Sequence, residues 1–177
     1  MNKLSSRELL FENEKNFFEY VLNADKGISK QFITDKEWIA MPCAGYLFSI
    51  ESEWLSDAIH RIGSDKYYQY LFYDDKLEKS LQLVNNSVNI NLSDLNYSYC
   101  YTIITNENVD FIYYRHEWGL YHLFAGTPDF VYSCVRCSRK LSKKIFFEYC
   151  FNDADSAMDY EKCRRAWLLY QGDDLEC

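Results

Sequence analysis

The sequence predicts an α+β domain, in which a central antiparallel sheet carries N-terminal helices and one C-terminal helix packed on it. Two observations lead to this fold class. Apolar residues recur at helical spacing towards both ends of the chain, whereas runs rich in Tyr, Phe and Ile fill the middle without crossover helices between them. The 177 residues include no linker or internal repeat, so we expect a single domain over residues 1–177. The sheet is expected to be a meander of about five to seven strands.

Three helices are predicted in the N-terminal third of the chain. The first is capped by Ser5 or Ser6 and runs to about Leu22. The segment Thr34-Asp35-Lys36-Glu37 has the form of a capping box, and Pro42 keeps this second helix short. The third helix starts at Ser49 or Ser52 and is closed by a glycine; one face holds apolar residues and the other holds acids. The apolar face holds Trp54, Leu55, Ala58, Ile59 and Ile62, and the acidic face holds Glu51, Glu53 and Asp57. The closing glycine is Gly63.

Two more helices follow from caps and apolar spacing. Asp74 and Asp75 cap a brief helix in which three apolar residues share a stripe, namely Leu77, Leu81 and Val84. Asp155 or Ser156 caps the last helix, which ends at Gly172. Its apolar residues recur at three- and four-residue steps, namely Tyr160, Cys163, Trp167 and Tyr170.

Strands are predicted where aromatic and β-branched residues cluster or alternate with polar ones. The segments Tyr99–Thr105 and Val109–Arg115 form a hairpin around the turn Asn106-Glu107-Asn108. The other predicted strands are Tyr67–Tyr73, Val88–Leu92, Trp118–Phe124, Phe130–Val135 and Ile145–Phe151.

The formal charge of the chain is −8, from 27 acidic and 19 basic side chains. Such a field repels phosphate backbones and anionic lipids, so we expect no direct binding to nucleic acid or membrane. It attracts basic proteins and makes their association salt-dependent. The first residues contain no apolar stretch of signal-peptide length, and the cysteines, an odd set of 7, are expected to be reduced thiols. Both observations indicate a soluble cytoplasmic protein.

Cys134-Val135-Arg136-Cys137 is the sharpest local motif, because a C-x-x-C pair can bind zinc or cycle as a dithiol. A second pair at comparable spacing is missing, and the motif sits in a strand-like run instead of opening a helix. Buried or incidental thiols are therefore the favoured interpretation. The pair nevertheless supports one alternative, a small enzyme with a Cys/His cleft.

His116, Glu117 and His122 are the other residues that could serve such an enzyme. The sequence does not determine whether the two histidines lie on the same face of the sheet, because Trp118-Gly119 between them resembles a turn. The usual nucleotide-binding and nucleophile-elbow motifs are absent. We therefore expect no catalysis, no cofactor and no bound metal.

One basic segment interrupts the acidic background, with five positive residues and no acid: Arg136, Arg139, Lys140, Lys143 and Lys144. It could contact phosphate, but a solvated loop between two strands is the favoured interpretation.

The chain contains 16 Tyr, 12 Phe and 4 Trp, more than a core of this size needs. Many of these aromatics must reach the surface, where Tyr and Trp act as anchors of protein interfaces. We combine them with the acids of the third helix and those near residue 75 as candidate partner-binding residues. The full set is Glu51, Glu53, Asp57, Asp74, Asp75, Glu78, Tyr67, Tyr70 and Trp118.

Two aromatic segments support a resemblance to a known class of proteins. Asp110-Phe111-Ile112-Tyr113-Tyr114 is followed by Trp118-Gly119-Leu120-Tyr121-His122-Leu123-Phe124-Ala125-Gly126 and then Phe130-Val131. A strand followed by an aromatic strand that ends in Ala-Gly resembles immunity proteins against bacterial polymorphic or contact-dependent toxins. The resemblance implies a cytoplasmic inhibitor that binds one cognate toxin, often a basic nuclease. The alternative in a different class of binder is a phage-type counter-defence protein that mimics nucleic acid, although the basic segment argues against it.

Overall fold

The computed structural model describes residues 17–74, 76–153 and 156–172, with the side chains of residues 153 and 157 left aside. The fold is α+β, as predicted, and its strands form one open six-stranded antiparallel sheet in the order β1-β6-β5-β4-β2-β3. The strands are β1 Ile39–Ala44, β2 Lys66–Tyr73, β3 Lys76–Val84, β4 Tyr101–Thr105, β5 Phe111–Arg115 and β6 Tyr121–Gly126. Strands β4, β5 and β6 are a meander, extended on one side by the hairpin of β2 and β3 and on the other by β1.

The described helices lie before, between and after these strands. Residues 17–21 are helical and are called α1; the predicted start of this helix at Ser5 or Ser6 lies outside the described residues. The others are α2 Lys30–Asp35, α3 Ser49–Arg61, α4 Ser87–Asn96, α5 Pro128–Val135, α6 Arg139–Asp153 and α7 Ala157–Gln171, with a 3-10 turn at Glu117–Gly119. No helix in these ranges is both long and apolar enough to cross a bilayer.

The third and the last predicted helices, which rest on caps and on long apolar periodicity, are confirmed. Helix α3 starts at Ser49, where the Glu51 carboxylate accepts from the Phe48 amide at 2.8 Å and so satisfies a free N–H group. The Ser156 hydroxyl accepts from the Asp159 amide at 3.2 Å and begins α7, while Asp155 lies outside the described residues. Strand β2 and the β4–β5 hairpin also form where expected, and β6 starts at Tyr121 instead of Trp118.

The helix and strand predicted between residues 76 and 96 are wrong, because each has the other conformation. Leu77, Leu81 and Val84 lie in strand β3, which pairs with β2 along its whole length. Residues 87–96 form helix α4, whose first turn is fixed by the Asn86 side chain accepting from the Asn89 amide at 2.8 Å. Pairing with β2 therefore overrides the helical spacing in β3, and the Asn86 cap overrides the strand-like alternation in α4.

The strands predicted at Phe130–Val135 and Ile145–Phe151 are also wrong: both segments are helical, in α5 and α6. Helix α5 has the start signals of a helix, since Pro128 occupies its first turn and the Thr127 hydroxyl accepts from the Phe130 amide at 3.3 Å. In α6 Phe146 and Cys150 are buried while Glu148 between them is exposed, which is a helical and not a strand pattern.

The second predicted helix is displaced. Ser29 caps α2 by accepting from the Phe32 amide at 3.3 Å, and α2 ends at Asp35, so Thr34–Glu37 closes a helix instead of opening one. Pro42 lies in the edge strand β1. Residues 40 and 42 point their backbone groups to the same side of β1. The Ala40 carbonyl faces away from β6 and accepts from the Gln171 side chain, so the position of Pro42 also faces away from β6. A residue without an N–H group is tolerated at such an outward-facing position.

Helices cover both faces of the sheet. On the first face α3, α4 and α5 pack over β5 and β6; for example, the Phe130 and Phe111 rings stack at 4.8 Å. On the second face Phe18 of α1 packs on Phe72 of β2 at 4.7 Å, and Tyr170 of α7 donates to the Ile28 carbonyl at 2.7 Å. The buried hydrophobic residues of the two layers belong to one cluster.

Candidate binding surface

A buried ion pair lies between the first face of the sheet and α4. Arg115 in β5 falls on the same strand parity as Phe111 and Tyr113 and so faces the helices. Its Nε atom lies 2.6 Å from Asp94 Oδ1, and both side chains are completely buried. The Tyr113 hydroxyl donates to the same carboxylate oxygen at 2.8 Å. Charges this deep are stable only when such partners surround them.

The ion pair also holds the backbone of two loops. Arg115 donates from Nη1 to the Ser98 carbonyl at 2.9 Å and from Nη2 to the Tyr97 carbonyl at 2.7 Å. Asp94 Oδ2 accepts from the Leu47 amide at 3.1 Å. One buried pair thus fixes the loop after β1 and the loop before β4.

A third loop, between β5 and β6, is held by contacts with the first two. The Trp118 amide donates to the Ser98 carbonyl at 2.6 Å. Trp118 itself has a φ of 57°, in the left-handed region that non-glycine residues rarely adopt. The following Gly119, with a φ of 61°, leaves room for the Tyr46 ring where a Cβ atom would stand. A strained residue kept in place by its surroundings is typical of functional sites.

These loops display large side chains to solvent. Trp118 is 67% exposed, Phe48 63%, Tyr73 49% and Tyr99 41%. Tyr73 comes from the end of β2, and its ring meets that of Tyr99 at 5.9 Å between centroids. We call Phe48, Tyr73, Tyr99 and Trp118 the aromatic patch.

Acidic residues border the aromatic patch. Asp74 follows Tyr73 in the turn to β3 and is exposed. The pKa of the Tyr99 hydroxyl is raised by the neighbouring Cys100, by desolvation and by the Glu78 carboxylate, which places Glu78 close to this ring. Glu117, beside Trp118, accepts from the Tyr101 hydroxyl at 3.2 Å.

A cavity of about 230 Å³ lies beside Trp118, between the β5–β6 loop and helices α6 and α7. Small-molecule pockets usually measure about 300–1,000 Å³, so this one suits a single side chain of a partner. His116 separates it from a second cavity of about 420 Å³ along α7. Desolvation lowers the pKa of His116, which keeps the imidazole neutral at pH 7.

The structure brings part of the predicted partner-binding set together. Trp118, Asp74 and Glu78 lie in or beside the aromatic patch, and Asp75 lies outside the described residues. The acids of α3 do not form one surface. Glu51 faces inward, with Oε1 at 3.9 Å from His122 Nε2, and Asp57 pairs with Arg136 at 3.3 Å.

The remaining predicted residues differ in exposure. Glu53 is exposed on α3. Tyr67 is 0% exposed, so it belongs to the core and is corrected from a surface anchor to a packing residue. Tyr70 is partly buried, and its ring packs against Phe18 at 4.9 Å on the second face of the sheet.

The residues considered for an enzyme are not assembled into one site. His122 lies on the first face beside Tyr113, whereas His116 lies on the second face with its ring 5.3 Å from that of Tyr121. Cys134 is completely buried near the end of α5, not in a strand, and desolvation raises the pKa of its thiol. Within the described residues, no group of three or more His, Cys, Asp or Glu side chains is arranged to hold a metal ion.

Sequence reasoning missed Phe48, Tyr73 and Tyr99, and it missed the buried pair behind them. The sequence contains one signal for the pair. Arg115 lies two residues after Tyr113 and four after Phe111, so on a strand it shares their inward face, which predicts a cation that faces the core. No family model, curated protein or solved structure matches the chain.

Proposed function

We propose that this protein is an inhibitor that binds a basic partner protein through the aromatic patch, as immunity proteins bind their toxins. The observation that carries the proposal is that one buried pair, Arg115 and Asp94, holds two patch-bearing loops directly and the third through the Ser98 carbonyl. A surface of this kind loses little conformational entropy on binding, because its anchors are already ordered.

The chemistry of the patch suits a protein partner. The exposed Trp118, Tyr73 and Tyr99 are of the residue types enriched in interface hot spots, and Trp118 also lines a small cavity. The flanking acids and the net charge of −8 favour a basic partner and speed its encounter. Lys79, a neighbouring cation, is engaged by the Tyr97 hydroxyl at 3.0 Å.

We further propose that the protein acts by binding alone and in the cytoplasm. The separation of His116 from His122 by the sheet supports a non-catalytic role. The cysteines within the described ranges form no disulfide, which suits a reducing compartment.

The test uses the products of the genes that flank the one encoding this chain. Each is expressed alone and together with this chain, and cell survival and direct association are measured. We expect one product to be toxic and to be neutralised by co-expression. Trp118→Ala should weaken the association by about 2 kcal/mol or more, roughly 30-fold.

Tyr132→Ala serves as the matched control, because Tyr132 is 44% exposed on α5, away from the patch. It should leave binding unchanged. If no flanking product is toxic or none is neutralised, the inhibitor proposal fails. If neutralisation occurs but Trp118→Ala binds like the native chain, the function stands and the proposed surface is wrong.

A further inference from the structure

The outward side of α6 is unusual for a helix of this protein, because it combines exposed apolar residues with lysines. Phe151 is 78% exposed, Ile145 49% and Leu141 47%. Lys140, Lys143 and Lys144 lie on the same helix, which corrects the prediction of a basic loop between strands.

Two of these apolar residues, Leu141 and Phe151, line a groove, whereas Ile145 lies outside it. The groove measures about 890 Å³ and runs between α6 and the start of α7. Three aromatic rings line it, Phe147, Phe151 and Tyr160, with centroids 6.5 Å apart for Phe147 and Tyr160 and 6.4 Å apart for Phe151 and Tyr160. The lysines form its rim together with Leu141 and Glu148.

Only part of the basic segment is available to a ligand. Arg136 pairs with Asp57, Arg139 donates to the Gln171 side chain at 2.7 Å, and Lys144 lies 3.6 Å from Glu148. Within the described part of the chain, Lys140 and Lys143 form no ion pair. Within the described residues, two lysines without an ion pair therefore line the same groove as three aromatic rings.

We propose that this groove binds an acidic amphipathic helix of a second protein, distinct from the basic partner of the aromatic patch. An amphipathic helix places apolar side chains at i, i+3, i+4 and i+7 into such a groove, and its acidic flanks meet the lysine rim. The concave shape favours a helix over a membrane, which would need the apolar residues on a convex surface. No residue of the groove belongs to the aromatic patch, so the two surfaces can be occupied independently.

The test uses a synthetic, fluorescein-labelled peptide of about 18 residues, or five helical turns. Leu occupies positions i, i+3 and i+4 of each seven-residue repeat, and Glu occupies the other positions. Binding is measured by fluorescence anisotropy. We expect a Kd on the order of 10 μM that weakens as salt is added. The double variant Lys140→Glu/Lys143→Glu should weaken it about tenfold or more, and Phe151→Ser should weaken it as well.

The matched control is Lys30→Glu/Lys66→Glu, which changes the net charge equally at two exposed lysines elsewhere. It should alter Kd by less than about twofold. A peptide of the same composition with shuffled spacing should bind at least about tenfold more weakly. Circular dichroism confirms that each variant is folded.

Three results would overturn the proposal. They are no detectable binding of the amphipathic peptide, equal binding of the shuffled peptide, and an equal effect of both lysine pairs on Kd. If the peptide fails to bind and the protein sediments with phosphatidylserine vesicles in a way that requires Lys140 and Lys143, the surface is assigned to a membrane.

Discussion

Replacing Arg115 by Met removes a buried positive charge but keeps most of the aliphatic volume. Asp94 then remains buried as an anion, with the Tyr113 hydroxyl among its few donors, and the Tyr97 and Ser98 carbonyls lose the guanidinium. A buried ion pair broken on one side costs about 3–5 kcal/mol. For a chain of this length about 2–4 °C is lost per kcal/mol, so we expect melting roughly 6–20 °C lower.

The double variant Asp94→Asn/Arg115→Met separates the lost charge pair from the lost volume. It removes both charges and leaves an amide oxygen that can accept from Tyr113. We therefore expect it to be more stable than Arg115→Met alone, with a coupling energy of about 1–3 kcal/mol between the two positions. Urea unfolding followed by circular dichroism and tryptophan fluorescence gives the free energy of unfolding for each variant. A loss below about 1 kcal/mol for Arg115→Met, or strict additivity in the cycle, would refute the role assigned to the pair.

Three further outcomes follow from single residues. Gly119→Ala should lower the free energy of unfolding by about 2–4 kcal/mol, because the backbone is left-handed and the Tyr46 ring occupies the Cβ position; Gly63→Ala, with φ +81° and open space around it, should lose only about 1–2. Burial raises the pKa of Tyr67 from 10.0 to about 12, so the stability contributed by the buried neutral phenol is intact below pH 10 and is lost as pH rises through 12. Urea midpoints should fall over that range and fall less in Tyr67→Phe, and an identical pH dependence would exclude Tyr67 as its source. Mass spectrometry after alkylation at pH 8 should find Cys134 unmodified until urea unfolds the chain; labelling at the rate of a free thiol would contradict its burial.

The parts of the fold that could be predicted are those where local signals and tertiary environment agree. Ser156 caps α7 and its buried Cys163 and Trp167 lie four residues apart, so periodicity and packing coincide. In α4 they conflict, because Val88 and Leu92 are 62% and 50% exposed while the polar Asp94 is buried. Of the three alternating residues that predict a strand, only Ile90 faces the core.

The same conflict explains β3. Leu77 and Leu81 are four residues apart and fit a helix stripe, yet they also share strand parity with Leu83. The choice between the two is made by β2, whose residues pair with β3 from Lys66 opposite Val84 onwards. No local signal carries that information.

For the candidate site, the surplus of aromatic residues and the acidic charge predict Trp118 and the acids near residue 75 as partner-binding residues. They do not predict how the fold places these residues on one surface. The pairing of Arg115 with Asp94 depends on how α4 packs on the sheet, and these residues are 21 positions apart in sequence. The exposure of Trp118 depends on Gly119 and on a ring from another loop. Long-range packing decides both.

Helix α7 supplies structure that much earlier segments need. Trp167 is among the largest completely buried side chains, Tyr170 binds the Ile28 carbonyl, and Gln171 binds the Ala40 carbonyl 131 positions upstream. At a synthesis rate of about 5–20 residues per second, roughly 7–26 s pass between the translation of Ala40 and that of Gln171. During this interval the edge of β1 lacks its Gln171 contact and the apolar face under α7 is uncovered, and surfaces of this kind favour aggregation of a nascent chain.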